Sequence, residues 1–141
     1  MHLLLIGLLA GTLDAIAAVL LFLAGGNKDP RMLFRYIASA VYGKRAFAGE
    51  GFMPFMGLLF HFLIAISWVA VYFFLHTHIP WLDSHPLFAA VIFGSLVWII
   101  MNLIIVPYSK ATPRPFSWLF VVINVVILIM AIGLPAAYLS I

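Results

Sequence analysis

The chain has 141 residues, 67% of them hydrophobic and only 8% charged, with a net charge of +3. Soluble domains run near half apolar and about a quarter charged, so this composition excludes a soluble globular fold and calls for bilayer-spanning helices of about 20 mostly apolar residues each. The lack of cysteine removes disulfides, thiolate metal sites and cysteine nucleophiles. The few basic residues sit where a topology signal belongs, which argues against a nucleic-acid partner.

The chain opens on M-H-L-L-L-I-G-L-L-A-G. A secretory signal would begin with a positively charged stretch before a short apolar core; here only His2 precedes an apolar run of span length. A retained first span is expected over residues 3–24. It contains Asp14 within G-T-L-D-A-I-A-A-V-L, with Gly7, Ala10, Gly11, Ala17 and Ala18 on the same helical face. Gly7 and Gly11 form a G-x-x-x-G pair, which lets another backbone approach closely, so Asp14 is expected on a packing face.

Asp29-Pro30 is a helix-start signal, an acceptor side chain followed by proline at the first helical position. Over residues 30–47 a helical wheel places Arg31, Arg35, Ala38 and Arg45 on one side. Met32, Leu33, Tyr36, Ile37, Ala40 and Val41 fall mostly on the other, with Lys44 the exception. This pattern predicts a basic amphipathic helix on the membrane surface, with Arg31, Arg35, Lys44 and Arg45 toward anionic lipid headgroups.

Three further spans are expected over residues 52–75, 87–107 and 116–139. In the second, Pro54, Gly57, His61, Ala65, Trp68 and Tyr72 form one stripe, with Gly57 as a packing residue. In the third, Ser95, Trp98, Asn102 and Ser109 align; in the fourth, Ser117, Asn124 and Ala131 do. The connection between the second and third spans, H-T-H-I-P-W-L-D-S-H-P, has no Lys or Arg. All seven basic residues, Lys28, Arg31, Arg35, Lys44, Arg45, Lys110 and Arg114, fall in the first and third connections. The positive-inside rule makes that face cytoplasmic and puts both termini outside. Trp81, Trp118, Tyr108 and Tyr138 near the span ends suit the membrane–water interface.

The predicted fold is all-α: one polytopic domain, residues 1–141, made of a four-helix transmembrane bundle and one interfacial helix. Each span carries one strongly polar residue: Asp14, His61, Asn102 and Asn124. At about 1.5 Å per residue they lie roughly 15, 12–14, 6–8 and 12 Å from the cytoplasmic ends, so a bundle can gather them. A charge at the bilayer centre costs about 2.5–3.5 kcal/mol on insertion scales. Asp14 evades much of that by taking a proton or by pairing with His61. Such a pair suits proton- or cation-linked transport of a small solute, and because four spans make a thin bundle a transport path calls for a homo-oligomer. The competing reading is a non-transporting scaffold whose polar residues are interhelical hydrogen-bond glue. His76, His78, Asp83 and His85 on the outer face are weak metal-ligand candidates. No nucleotide, hydrolase or haem pattern is present, so neither a cofactor nor enzymatic activity is predicted.

G-T-L-D-A at 11–15, G-L-L-F-H-F-L-I-A-I-S-W at 57–68 and V-W-I-I-M-N-L-I-I-V-P at 97–107 together resemble small bacterial inner-membrane proteins of the YagU type. That resemblance implies a bacterial inner-membrane location, with no catalytic residues to carry over; a link to acid tolerance suggested for such proteins would suit an Asp14–His61 pair.

Overall fold

The computed structural model describes residues 2–49, 51–111 and 117–140. Arg114 and Glu50 lie outside these residues, as does the predicted start of the fourth span at Phe116. Four helices are long and apolar enough to cross a membrane: α1, His2–Ala24; α3, Met53–His78; α5, Pro86–Tyr108; and α6, Trp118–Leu139. Two shorter helices join them, α2, Arg31–Tyr42, before α3, and α4, Trp81–Ser84, before α5. No strand occurs among the described residues. This is an all-α bundle and a multi-pass membrane protein. Leu and Ile side chains along the spans are widely exposed, as lipid-facing positions are.

Inside a bilayer, helices gain little from hiding apolar surface from one another, so association depends on close van der Waals packing at small residues. The bundle follows that rule. α1 packs on α3 and α6, and α5 packs on α6. A Cβ at Gly7 would lie 2.7 Å from Ile66 Cγ1, and one at Gly11 would lie 2.7 Å from the Phe62 ring, so the G-x-x-x-G pair faces α3. A Cβ at Gly94 of α5 would lie 2.6 Å from Ile129 Cα of α6, and Gly133 of α6 abuts the Ala90 carbonyl. These contacts gather the main core, Ile6, Ala10, Val69, Tyr72, Ala89, Ala90, Phe93, Val97, Ile132, Ala136 and Ala137, in the half away from the basic connections.

α3 and α5 do not pack along their lengths. They meet through aromatic edges, Phe93 lying 5.0 Å from the Tyr72 ring and 6.2 Å from the Trp68 ring between centroids. Toward the basic end the two helices part.

Both α5 and α6 contain a π turn, Met101–Ile105 and Ile129–Gly133. Each ends two residues before a proline, Pro107 and Pro135. A proline ring has no N–H to give and collides with the carbonyl four residues back; widening the preceding turn by one residue relieves that collision and keeps the helix continuous.

α2 is more enclosed than a surface helix would be. Gly57 of α3 abuts the Phe34 carbonyl, and Ala38, which the wheel placed with the arginines, is fully buried with Ala46 and Met53. Met32 and Val41, from the apolar side, are exposed. The wheel misplaces them because the 3₁₀ turn Gly43–Phe47 folds back under α2, where Arg35 Nη1 donates to the Ala46 carbonyl at 2.8 Å. The Lys110 N–H donates to the Ala40 carbonyl at 3.1 Å, which ties the third connection to α2 at one end of the bundle.

At the start of α2 the Arg31 N–H and Nε both donate to Asp29 Oδ1, at 3.0 and 3.1 Å. The Arg31 side chain thereby holds the Asp29 carboxyl below its usual range. The sign follows from linkage: this stabilisation is present above the ordinary carboxylate range and fades as pH falls through the lowered value. The pair is exposed and adds little.

Replacing Gly57 or Gly94 by Ala forces a methyl group into backbone, an overpacking that costs about 1–3 kcal/mol. Thermal unfolding in detergent is expected to show both variants clearly less stable than wild type. Gly51→Ala, where a Cβ meets nothing within 4 Å, should leave the transition unchanged.

Candidate functional site

A cavity of about 220 Å³ lies between the packed half of the bundle and α2. Asp14 of α1, His61 of α3, Asn102 of α5 and Asn124 of α6 all line it. Each comes from a different span, and each span runs without a break past the cavity's depth. Trp68 and Trp98 also line the cavity, with Ile37 of α2 at the basic end and Val97 and Ile132 toward the core. A second cavity of about 60 Å³, bordered by Leu33, Ala18, Phe22, Phe120 and Asn124, separates α2 from α1 and α6.

His61 sits where the close approach of α1 and α3 delivers it. Its Nε2 lies 2.9 Å from the Gly11 carbonyl oxygen. A carbonyl only accepts, so Nε2 carries the proton and donates it, leaving Nδ1 as the acceptor of the neutral ring. The same Nε2 is 3.8 Å from Asp14 Oδ2, too far for a hydrogen bond but close enough that a small ring movement exchanges one acceptor for the other. The His61 and Asp14 side chains are 11% and 16% exposed.

The asparagines behave differently. Asn102 Nδ2 donates to the Trp98 carbonyl at 3.0 Å, and Asn124 Nδ2 donates to the Phe120 carbonyl at 2.8 Å. Both bonds stay within their own helices and take one of the two N–H groups of each amide. Asn102 lies in the π turn of α5 and is exposed. Ser117 does not share the cavity; its Oγ accepts the Phe120 N–H at 3.5 Å and caps the start of α6.

The histidines at the end opposite the basic connections are arranged for local bonding. α3 runs to His78, so His76 and His78 stand in its last turn and not in a loop. The helix extends because Thr77 Oγ1 and His78 Nδ1 both donate to the Phe74 carbonyl, at 2.7 and 2.8 Å. His76 Nδ1 reaches Asp83 Oδ1 at 3.3 Å and ties α3 to α4, while His85 stacks on Trp81 at 4.8 Å. Among the described residues no three such side chains converge to hold a metal ion.

Ile37 as a cavity wall, the two tryptophans as cavity faces, and the Gly94 and Gly133 contacts were not assigned from sequence. The tryptophans stood on the polar stripes of their spans, a signal that was present. Ile37 carried none, because nothing in the pattern says that α2 turns beneath the bundle.

Compared with protein-family models, with curated proteins and with solved structures, the chain has no significant match.

The His61 bond runs from one span to another, so His61→Ala should lower stability by about 0.6–2 kcal/mol. Asn102→Ala and Asn124→Ala, which remove bonds within a helix, should shift it by about 0.5 kcal/mol or less. Thermal unfolding of the three variants in detergent checks the order; asparagine losses equal to or larger than the histidine loss would contradict it.

Proposed function

We propose that the protein moves a small solute across the membrane in step with protons, with Asp14 and His61 as the groups that load and release the proton. The observation that carries this reading is their 3.8 Å approach in a cavity lined by all four apolar spans, where ionisable groups are rare and generally mark an ion or substrate path. The chemistry balances without any other group. A proton taken on Nδ1 of His61 makes the imidazolium. The Nε2 proton then passes to Asp14 once the ring leaves the Gly11 carbonyl, and a neutral carboxyl and the Nδ1–H tautomer remain. Asn102 and Asn124 supply acceptors beside the pair. α2 closes the path at the basic end through Ile37, and the aromatic contacts of Phe93 close the opposite half, so passage requires one barrier to yield at a time.

The location belongs to the same proposal. The basic end, with Lys44 and Arg45 exposed, faces the cytoplasm and anionic headgroups of a bacterial inner membrane, and both termini lie outside. A homo-oligomer completes the thin bundle. The scaffold reading draws support from the His61–Gly11 bond, which by itself is interhelical glue.

Reconstituted vesicles carrying an internal pH dye test the proposal. Wild-type protein should carry proton flux, and Asp14→Asn and His61→Ala should reduce it at least about tenfold while remaining folded. Unchanged flux in folded variants would leave the scaffold reading standing. Orientation is tested separately: single cysteines replacing His2 and Lys110 should label from opposite sides of the membrane, and same-side labelling would overturn the arrangement.

A further inference from the structure

The cavity is chemically one-sided. Its one acidic side chain is Asp14, the Nδ1 of neutral His61 is an acceptor, and Asn102 and Asn124 each bring an acceptor oxygen, one N–H of each amide being used on Trp98 or Phe120. The one N–H of the His61 ring is engaged by Gly11. Among the described residues no Lys or Arg lines the cavity. Such a wall repels anions and satisfies hydrogen-bond donors and positive charge. Trp68 and Trp98 add two indole faces, the strongest of the natural cation–π partners.

The second observation is the gap between α3 and α5. An apolar groove of about 230 Å³ runs there, lined by Ile64, Ser67, Trp68, Val71, Met101 and Ile105. It shares Ile64, Trp68 and Met101 with the polar cavity. Val71 and Ile105 are more than two-fifths exposed, on the side turned to lipid. The carboxylate and the polar side chains therefore line the inner part of this space, while the outer part is apolar and open along the membrane plane.

We propose that this space binds a small lipophilic organic cation, an amine or quaternary ammonium on an apolar body, which enters sideways from the membrane between α3 and α5. The charged head lies beside Asp14 between the two indoles, and the apolar body occupies the groove. A 150 Å³ apolar cavity is enough for benzene, so about 220 Å³ with the adjoining groove suits one aromatic ring carrying a small ammonium group. The inference rests on the transport reading and names its solute class. Asp14 cannot give its charge to a proton and to the cation at once, so cation loading releases the proton and proton loading releases the cation. Among the described residues that line the cavity, His61 of α3 is the other ionisable group; Ile37, Asn102 and Asn124 on α2, α5 and α6 carry no ionisable group.

The test is calorimetric binding of benzyltrimethylammonium to the full chain in detergent, beside its neutral isostere neopentylbenzene. The cation should bind the wild type and release protons as it does so. Asp14→Asn should weaken cation binding by about tenfold or more and leave the neutral isostere unaffected. Trp98→Leu, which keeps the carboxylate, should weaken the cation by roughly 2- to 30-fold and serves if Asp14→Asn does not fold. Equal binding of the two compounds, or cation binding indifferent to both substitutions, would overturn the inference. Proton flux in vesicles without any cation binding would overturn it and spare the transport reading. Asp14-dependent binding without flux would do the reverse.

Discussion

Gly7 and Gly11 let the backbone of α1 lie against Ile66, Phe62 and Ala65 of α3, and that contact sets the depth at which His61 meets the Gly11 carbonyl. Any side chain larger than hydrogen at either glycine would push α3 outward and carry the imidazole away from Asp14. The same device operates on the other pair, where Gly94 and Gly133 bring α5 and α6 together. In a bilayer these approaches are the main source of cohesion. They place the dry core in one half of the protein and leave the basic half to open around the polar residues.

The two π turns extend this logic. Pro107 and Pro135 would break their helices if the preceding turns stayed α-helical. The wider turns keep α5 and α6 continuous, and each falls at a contact that matters. The turn in α6 spans Ile129 and Gly133, the residues that touch Gly94 and Ala90. The turn in α5 carries Asn102 into the cavity wall beside the gap with α3. α2 then closes the basic end with Ile37 toward the cavity and Leu33 toward α1 and α6, held by the Ala40–Lys110 backbone bond.

Much of the fold was legible because span length and hydropathy are one-dimensional properties: four apolar runs and a basic connection suffice for an all-α bundle. The depths of Asp14, His61, Asn102 and Asn124 were also countable, since a continuous helix rises by a fixed amount per residue. What could not be read was the placement of α2. A wheel ranks its faces by polarity, yet Ala38 is buried and Met32 exposed because Gly57 and the following 3₁₀ turn dictate which face docks. The end of α3 was similarly hidden, since Thr77 and His78 look like loop residues until their side chains are seen to bond the Phe74 carbonyl. The prolines at 107 and 135 were visible, but their effect depends on a backbone choice that composition does not encode.

A buried carboxylate facing a cavity and an imidazole belongs to a proton path only if it exchanges protons with bulk water. The most direct measurement is the ¹³C carboxyl resonance of Asp14 in lipid nanodiscs, assigned by its loss in Asp14→Asn and followed as bulk pH is varied. The account predicts a reversible shift with pH whose midpoint moves when His61 is replaced by Gln. A resonance that stays fixed across the whole accessible range, or one indifferent to His61, would contradict it and leave Asp14 a purely structural residue.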